Sequence, residues 1–207
     1  MNLALGRRFA RLATDAVVRR PALWRLFRGP LRRQFDQLAP QWDTIRSAGH
    51  LDPVEAALGT VAPPRRALDL GTGTGAAAFA VARRFPEAEV VGVDLAERMI
   101  GEARRMTPPD LAGRVRFETG DAAALDLEDG SFDLVTLANM IPFFDELARV
   151  VAPGGTVVFG FSGGAGTPIY VAPERLRAEL GRRGFAEFAE FAEGAGTALL
   201  ARKRVGP

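Results

Sequence analysis

The stretch Ala67-Leu68-Asp69-Leu70-Gly71-Thr72-Gly73-Thr74-Gly75 constrains this chain most: an apolar strand with one carboxylate runs into three alternating glycines and then an alanine-rich helix. Glycine at alternate positions lets a strand-to-helix turn take backbone angles that a Cβ forbids, and it lets main-chain N–H groups come close to a ligand. Such a turn suits a nucleoside, with or without phosphates. Two cofactor classes fit it, because Gly71, Gly73 and Ala76 also satisfy the dinucleotide pattern G-x-G-x-x-G/A. Asp69 separates them. An anion two residues before the first glycine repels a pyrophosphate and attracts a cation across a poorly screened cleft.

Two further carboxylates follow apolar runs. Val90-Val91-Gly92-Val93-Asp94 reads as a buried parallel strand whose acid emerges at the carboxyl end, where open α/β sheets bind ligands. Asp94 also suits a simpler part, capping a helix that begins near Ala96. Asp121 follows the strand-like Val115-Arg116-Phe117-Glu118 and is either a site residue or a turn aspartate.

In this order the segment from Leu68 to Gly155 resembles the class I S-adenosylmethionine-dependent methyltransferases. The matches are Leu68 to Gly75, Val90 to Leu95, Gly120-Asp121-Ala122, the strand Phe132 to Asn139, and Leu147 to Gly155 with its Pro-Gly-Gly turn. The resemblance implies a doubly wound, mostly parallel seven-stranded sheet of the Rossmann-like methyltransferase type, behind an N-terminal helical region. It implies S-adenosylmethionine as cofactor, held by Asp69, Gly71, Thr72, Gly73, Gly75, Asp94, Leu95, Asp121, Ala122 and Asn139. Asp94 stands where the family's carboxylate binds both ribose hydroxyls, and Asp121 where it accepts from the adenine amino group. No metal is implied. Residues 1–62 are expected to form an arm and lid, and residues 63–207 the cofactor-binding domain.

With 47% hydrophobic residues in 207, the chain can bury one sizeable core. It has no cysteine, which excludes a disulfide scaffold, a thiolate metal site, iron–sulfur radical chemistry and a cysteine nucleophile for cytosine methylation. No run approaches the ~18 apolar residues of a membrane span, and the N-terminus lacks a signal-peptide core, so a cytoplasmic protein is expected.

Charge is unevenly spread. Before residue 34, Arg7, Arg8, Arg11, Arg19, Arg20, Arg25, Arg28, Arg32 and Arg33 face a single acid, Asp15. Apolar residues at helical spacing (Leu5, Phe9, Leu12, Ala16; then Leu23, Trp24, Leu26, Phe27, Leu31) predict two amphipathic helices broken at Pro21 and at Gly29-Pro30. The arm suits first a solvated helical cap or a dimer face, and otherwise an anionic membrane surface, RNA or an acidic substrate.

Phe35 to Asp43 resembles a segment that folds over the cofactor cleft in small-molecule methyltransferases, with Trp42 and Asp43 as its aromatic-Asp pair. Such a lid excludes water. Trp42 suits ordinary core as well. Proton-acceptor candidates are His50, Asp43, Tyr170 and Asp145, and nothing in the sequence selects one. Asn139-Met140-Ile141-Pro142-Phe143-Phe144 lacks the prolines and tyrosine of an amine clamp, and its apolar residues suit an apolar or aromatic acceptor, or alternatively the core. The expected activity is methyl transfer to a small molecule. An RNA methyltransferase using the basic arm and a non-catalytic S-adenosylmethionine-binding protein are the alternatives.

Overall fold

The valine-rich runs form the sheet they predict. In a computed structural model that describes residues 3–46 and 48–206, seven strands lie in the order β3-β2-β1-β4-β5-β7-β6. They are β1 (Arg66–Leu70), β2 (Glu89–Asp94), β3 (Val115–Thr119), β4 (Phe132–Ala138), β5 (Val151–Phe161), β6 (Phe185–Glu193) and β7 (Gly196–Lys203). β1 to β5 run parallel, and β7 is antiparallel to β5 and β6. Alternation assigns each strand residue to a face. Leu68, Leu70, Val91, Val93, Val135, Leu137, Val157 and Phe159 build one core; Ala67, Val90, Leu134, Val158 and Leu200 build the other.

Helices cover both faces, as a parallel sheet requires. On the second core lie α4 (Asp52–Leu58), α5 (Ala76–Arg84) and α6 (Glu97–Met106), through Val54, Leu58, Phe79 and Ile100. On the first lie α7 (Phe144–Val150) and α8 (Pro173–Gly181), together with the arm: α1 (Leu3–Arg19), a 3₁₀ turn Pro21–Leu23 and α2 (Trp24–Leu38). The short α3 (Trp42–Ile45) follows. Arg11 of α1 donates to the carbonyls of Ala165 and Thr167 at 2.9 and 2.8 Å, and Arg7 to that of Gly166, so the arm clasps the connection after β5.

The expected break at Gly29-Pro30 does not occur, although the one at Pro21 does; α2 runs through Pro30. Proline there forfeits one helical hydrogen bond, but buried Leu31 and the packing of Trp24, Phe27 and Phe35 on the core hold the helix on both sides of it. β5 begins at Val151 rather than after the Pro-Gly-Gly turn. The ladder to β4 absorbs that turn as a register shift between Phe132 and Leu134, with Gly154 at φ +78.

Candidate cofactor-binding and active site

The glycine loop leaves the carboxyl end of β1 and enters α5. Gly71 and Gly73 have φ of +66 and +54, a backbone that L side chains rarely adopt. Space is short as well: a Cβ on Gly71 would stand 2.5 Å from Met140 Cγ, and one on Gly73 3.2 Å from Trp42 Nε1. The loop spends its donors inside the protein. Gly71 and Thr72 N–H donate to the Val93 carbonyl at 2.9 and 3.1 Å, Gly75 N–H to the Thr72 carbonyl at 2.9 Å, and Gly73 N–H to Asp94 Oδ2 at 2.9 Å.

Asp69 stands differently from its expected part as a counter-charge facing a cation. It is 1% exposed, and its oxygens accept from Thr72 Oγ1 (2.6 Å), Thr136 Oγ1 (2.8 Å) and Ala78 N–H (3.1 Å). The carboxylate thus sits on the N-terminus of α5 and joins loop, β4 and helix. Burial pushes its pKa up to about 6, against the lowering effect of those donors. A pyrophosphate seeks free loop N–H groups and a bare helix N-terminus; here four loop N–H groups are already bonded and the Asp69 carboxylate occupies Ala78 N–H in the first turn of α5.

Asp94, at the end of β2, accepts from Gly73 N–H and, at 2.8 Å, from Ala96 N–H, so it stands beside the loop but does not cap α6, whose N-cap position is Ala96 and whose Arg98 N–H is taken by Asp36. Burial raises its pKa, and the like charge of Asp36 adds to that. A carboxylate has about four lone-pair sites, so Asp94 keeps capacity for a vicinal diol. Leu95 beside it is half-buried. Asp121 follows β3; its Oδ1 accepts from Ala123 N–H at 2.9 Å, the turn geometry anticipated, while Ala122 packs into the core. Asn139, at φ +55, turns its Oδ1 to Ser162 N–H at 2.9 Å and ties the ends of β4 and β5 together.

Over these strand ends lies the arm. Trp24 Nε1 donates to both oxygens of Asp121, at 2.8 and 3.0 Å, and Arg28 approaches the same carboxylate at 3.5 Å. The Trp24 ring packs edge-on against Phe143 with centroids 5.0 Å apart. Asp36 accepts from Arg98 N–H at 3.0 Å, in the first turn of α6. Trp42 packs against Phe35, and Asp43 accepts from Thr74 Oγ1 of the loop at 2.8 Å while paired with Arg46. The segment expected as a lid lies on the loop.

Residues 67–155 match the family model of the methyltransferase domain. In this segment the chain is similar to the class I S-adenosylmethionine-dependent methyltransferases. Among similar proteins, demethylmenaquinone methyltransferase of Thermus thermophilus is 47% identical over 103 residues, 46% of each chain. The protein of the same name from Deinococcus radiodurans is 35% identical over 141 residues, 62% of this chain and 58% of that one. The chain spans about half the length of the curated relatives it matches. The structure of phosphoethanolamine N-methyltransferase 2 from Haemonchus contortus, in complex with S-adenosyl-L-methionine, shares the fold with a TM-score of 0.60 at 20% identity, covering 75% of this chain and 52% of that one.

Against the superfamily's cofactor the remaining candidates separate. Of the four proton-acceptor candidates, Asp43 is bonded to the glycine loop through Thr74 Oγ1. Asp145 is 82% exposed and paired with Arg183 at 2.7 Å, and Tyr170 packs on Phe161, where burial raises its pKa. His50 is half-buried in the turn ahead of α4. Ile141, Phe143 and Phe144 are buried, so this apolar loop serves the core as well as the cleft. Trp24 and Thr136 are the residues that sequence reasoning did not place at the site. Trp24 reads there only as one more apolar residue of the arm, and Thr136 becomes visible only once β4 is paired with β1.

Proposed function

We propose that this chain binds S-adenosylmethionine between the glycine loop, Asp94 and Asp121, and transfers its methyl group to a small, apolar, planar acceptor. The observation that carries the reading is the pattern of spent donors. Four of the loop N–H groups, and Ala78 N–H in the first turn of α5, are bonded internally, while carboxylates line the strand ends, a surface for a cationic nucleoside rather than a dinucleotide. When bound, the cofactor supplies a methyl group on a sulfonium, already an excellent leaving group, so orientation and water exclusion supply much of the acceleration.

The chain's own residues meet those needs. Asp94 would hold the ribose diol and Asp121 would accept from the adenine amino group, while Gly71 and Gly73 give the loop its turn and leave room for Met140 and Trp42 to pack on it. Trp42 and the Asp43–Thr74 bond close the lid over the loop, and Phe143 with Met140 offers the acceptor an apolar wall. Asp43 takes the acceptor's proton where one must leave. The relatives named demethylmenaquinone methyltransferase support an acceptor with a planar ring. In this reading residues 1–62 act as arm and lid over the domain 63–207, and the protein works in the cytoplasm. Among the described residues no helix is long and apolar enough to cross a membrane.

Calorimetric titration with S-adenosylmethionine and S-adenosylhomocysteine tests the reading. Both are expected to bind, with Asp94→Ala weakening each by at least about a hundredfold, as loss of a bidentate charged acceptor would. Undiminished binding by Asp94→Ala, or preference for a nicotinamide dinucleotide, would overturn it. Once binding is established, methyl transfer to a quinol panel separates an enzyme from a protein that only holds the cofactor.

A further inference from the structure

Residues 1–33 of the arm carry nine arginines against one aspartate, and they divide by task. Arg7 and Arg11 clasp carbonyls of residues 165–167, and Arg28 reaches Asp121. The other six, Arg8, Arg19, Arg20, Arg25, Arg32 and Arg33, are exposed, and their guanidinium groups make no hydrogen bond or ion pair with any described residue. Leucines stand out beside them: Leu5, Leu12 and Leu26 are 62%, 58% and 61% exposed.

Their spacing places them together. Leu5, Arg8, Leu12 and Arg19 follow i, i+3, i+7 and i+14 along the outer face of α1, and Leu26, Pro30 and Arg33 follow i, i+4 and i+7 on α2. The two helices fold back on each other through the Phe9–Phe27 contact, and Leu5, Phe9, Pro30 and Arg33 line one groove between them. Apolar side chains and unpaired guanidinium groups thus alternate over one continuous outward surface. The inner face of the same hairpin carries Trp24 and Arg28 to Asp121.

We propose that this surface docks the protein on an anionic lipid bilayer. The leucines enter the boundary between headgroups and acyl chains, and the six unpaired arginines meet lipid phosphates, the arrangement of an interfacial amphipathic helix. Single-stranded nucleic acid fits less well, because its bases stack on exposed aromatic rings, whereas Trp24 and Phe27 pack on the core and Phe9, half-buried in the groove, packs against Phe27. A second copy of the chain fits less well too. A two-fold contact through this face would oppose like charges with no acid but Asp15 to offset them. The proposal goes beyond methyl transfer, and its test needs neither cofactor nor acceptor, so its failure leaves the activity untouched.

Flotation of the whole chain with phosphatidylcholine vesicles, with and without about 30 mol% phosphatidylglycerol, reads the surface directly. Expected is partition onto the anionic vesicles only, falling steeply between about 0.1 and 0.5 M salt. A combined Arg8→Glu, Arg19→Glu, Arg33→Glu variant should lose at least about tenfold in partition while keeping the wild-type melting transition. Leu5→Gln, Leu12→Gln and Leu26→Gln together should weaken binding at every salt concentration, which charge alone would not explain. Equal flotation of wild type and the arginine variant, a leucine variant that floats like wild type, or tight binding of a single-stranded RNA oligonucleotide without vesicle binding would each overturn the proposal.

Discussion

The sheet and the helical arm meet along one line of strand ends, and they are held by different physics. In the sheet, backbone ladders pair seven strands, and side chains such as Phe132, Phe159 and Val157 are completely buried between two layers of helices. In the arm the fully buried side chains are few and small apart from Leu31, and much of the attachment is polar: Trp24 and Arg28 to Asp121, Asp36 to Arg98 N–H, Asp43 to Thr74, Arg11 to the 165–167 carbonyls. Side-chain hydrogen bonds each contribute about 1 kcal/mol net, whereas burying a large apolar side chain contributes more and cannot be exchanged for water. A region held by the first kind of bond can lift as a unit while the other stays folded. That is the division a lid over a cofactor cleft needs.

The largest effect that would sharpen the contrast lies in the sheet. Phe159→Ala, at the centre of β5, should cost about 3–5 kcal/mol of global stability by denaturant titration. A loss confined to the arm would break the comparison.

Asp69 comes next, because it belongs to the core although it reads as a ligand group. Its carboxyl holds a proton more tightly folded, with a pKa of about 6, than unfolded, at 3.8. Its contribution to stability is therefore full below pH ~4 and is lost as pH rises through ~6, up to about 3 kcal/mol. Asp69→Asn fits the same donors once the Thr136 hydroxyl turns its proton toward the Leu68 carbonyl, 3.5 Å away. The melting temperature of the variant should gain on wild type between pH 4 and 7. A constant difference across that range would show that Asp69 titrates in the fold as it does in the unfolded chain.

Smaller effects belong to the arm. Trp24→Phe keeps the ring against Phe143 but releases Asp121 from its indole donor. Binding of S-adenosylhomocysteine should tighten severalfold in calorimetry, with global stability within about 1 kcal/mol of wild type; weaker binding would mean that Trp24 supports the ligand instead of competing with it. Smallest is Arg28→Ala, whose pair with Asp121 is 58% exposed on the arginine side, worth less than about 0.5 kcal/mol and fading with salt.

The same contrast explains what was legible in the sequence. Apolar runs such as Val90 to Val93 and Phe132 to Leu137 encode strands locally, and a carboxylate that closes such a run, like Asp94, must emerge where the strands end. The chain order of motifs carries the fold because parallel strands joined through helices leave few topologies. Contacts across long separations are not written in any local pattern: Trp24 meets Asp121 over 97 residues. The burial of Asp69 depends on Thr136 in a neighbouring strand, and the continuity of α2 through Pro30 depends on what Leu31 and Phe35 pack against. Polar attachments between separate elements are therefore read from the structure alone, and they make up much of the arm.

The most direct measurement of the whole account is hydrogen–deuterium exchange with and without saturating S-adenosylhomocysteine. The account predicts altered exchange in residues 71–78, 94–98 and 121–125, and in the arm from Trp24 to Asp43, with β5, β6 and β7 unchanged. Saturation that leaves 94–98 and 121–125 as they were would contradict it, because the ligand would then be bound somewhere other than beneath the arm.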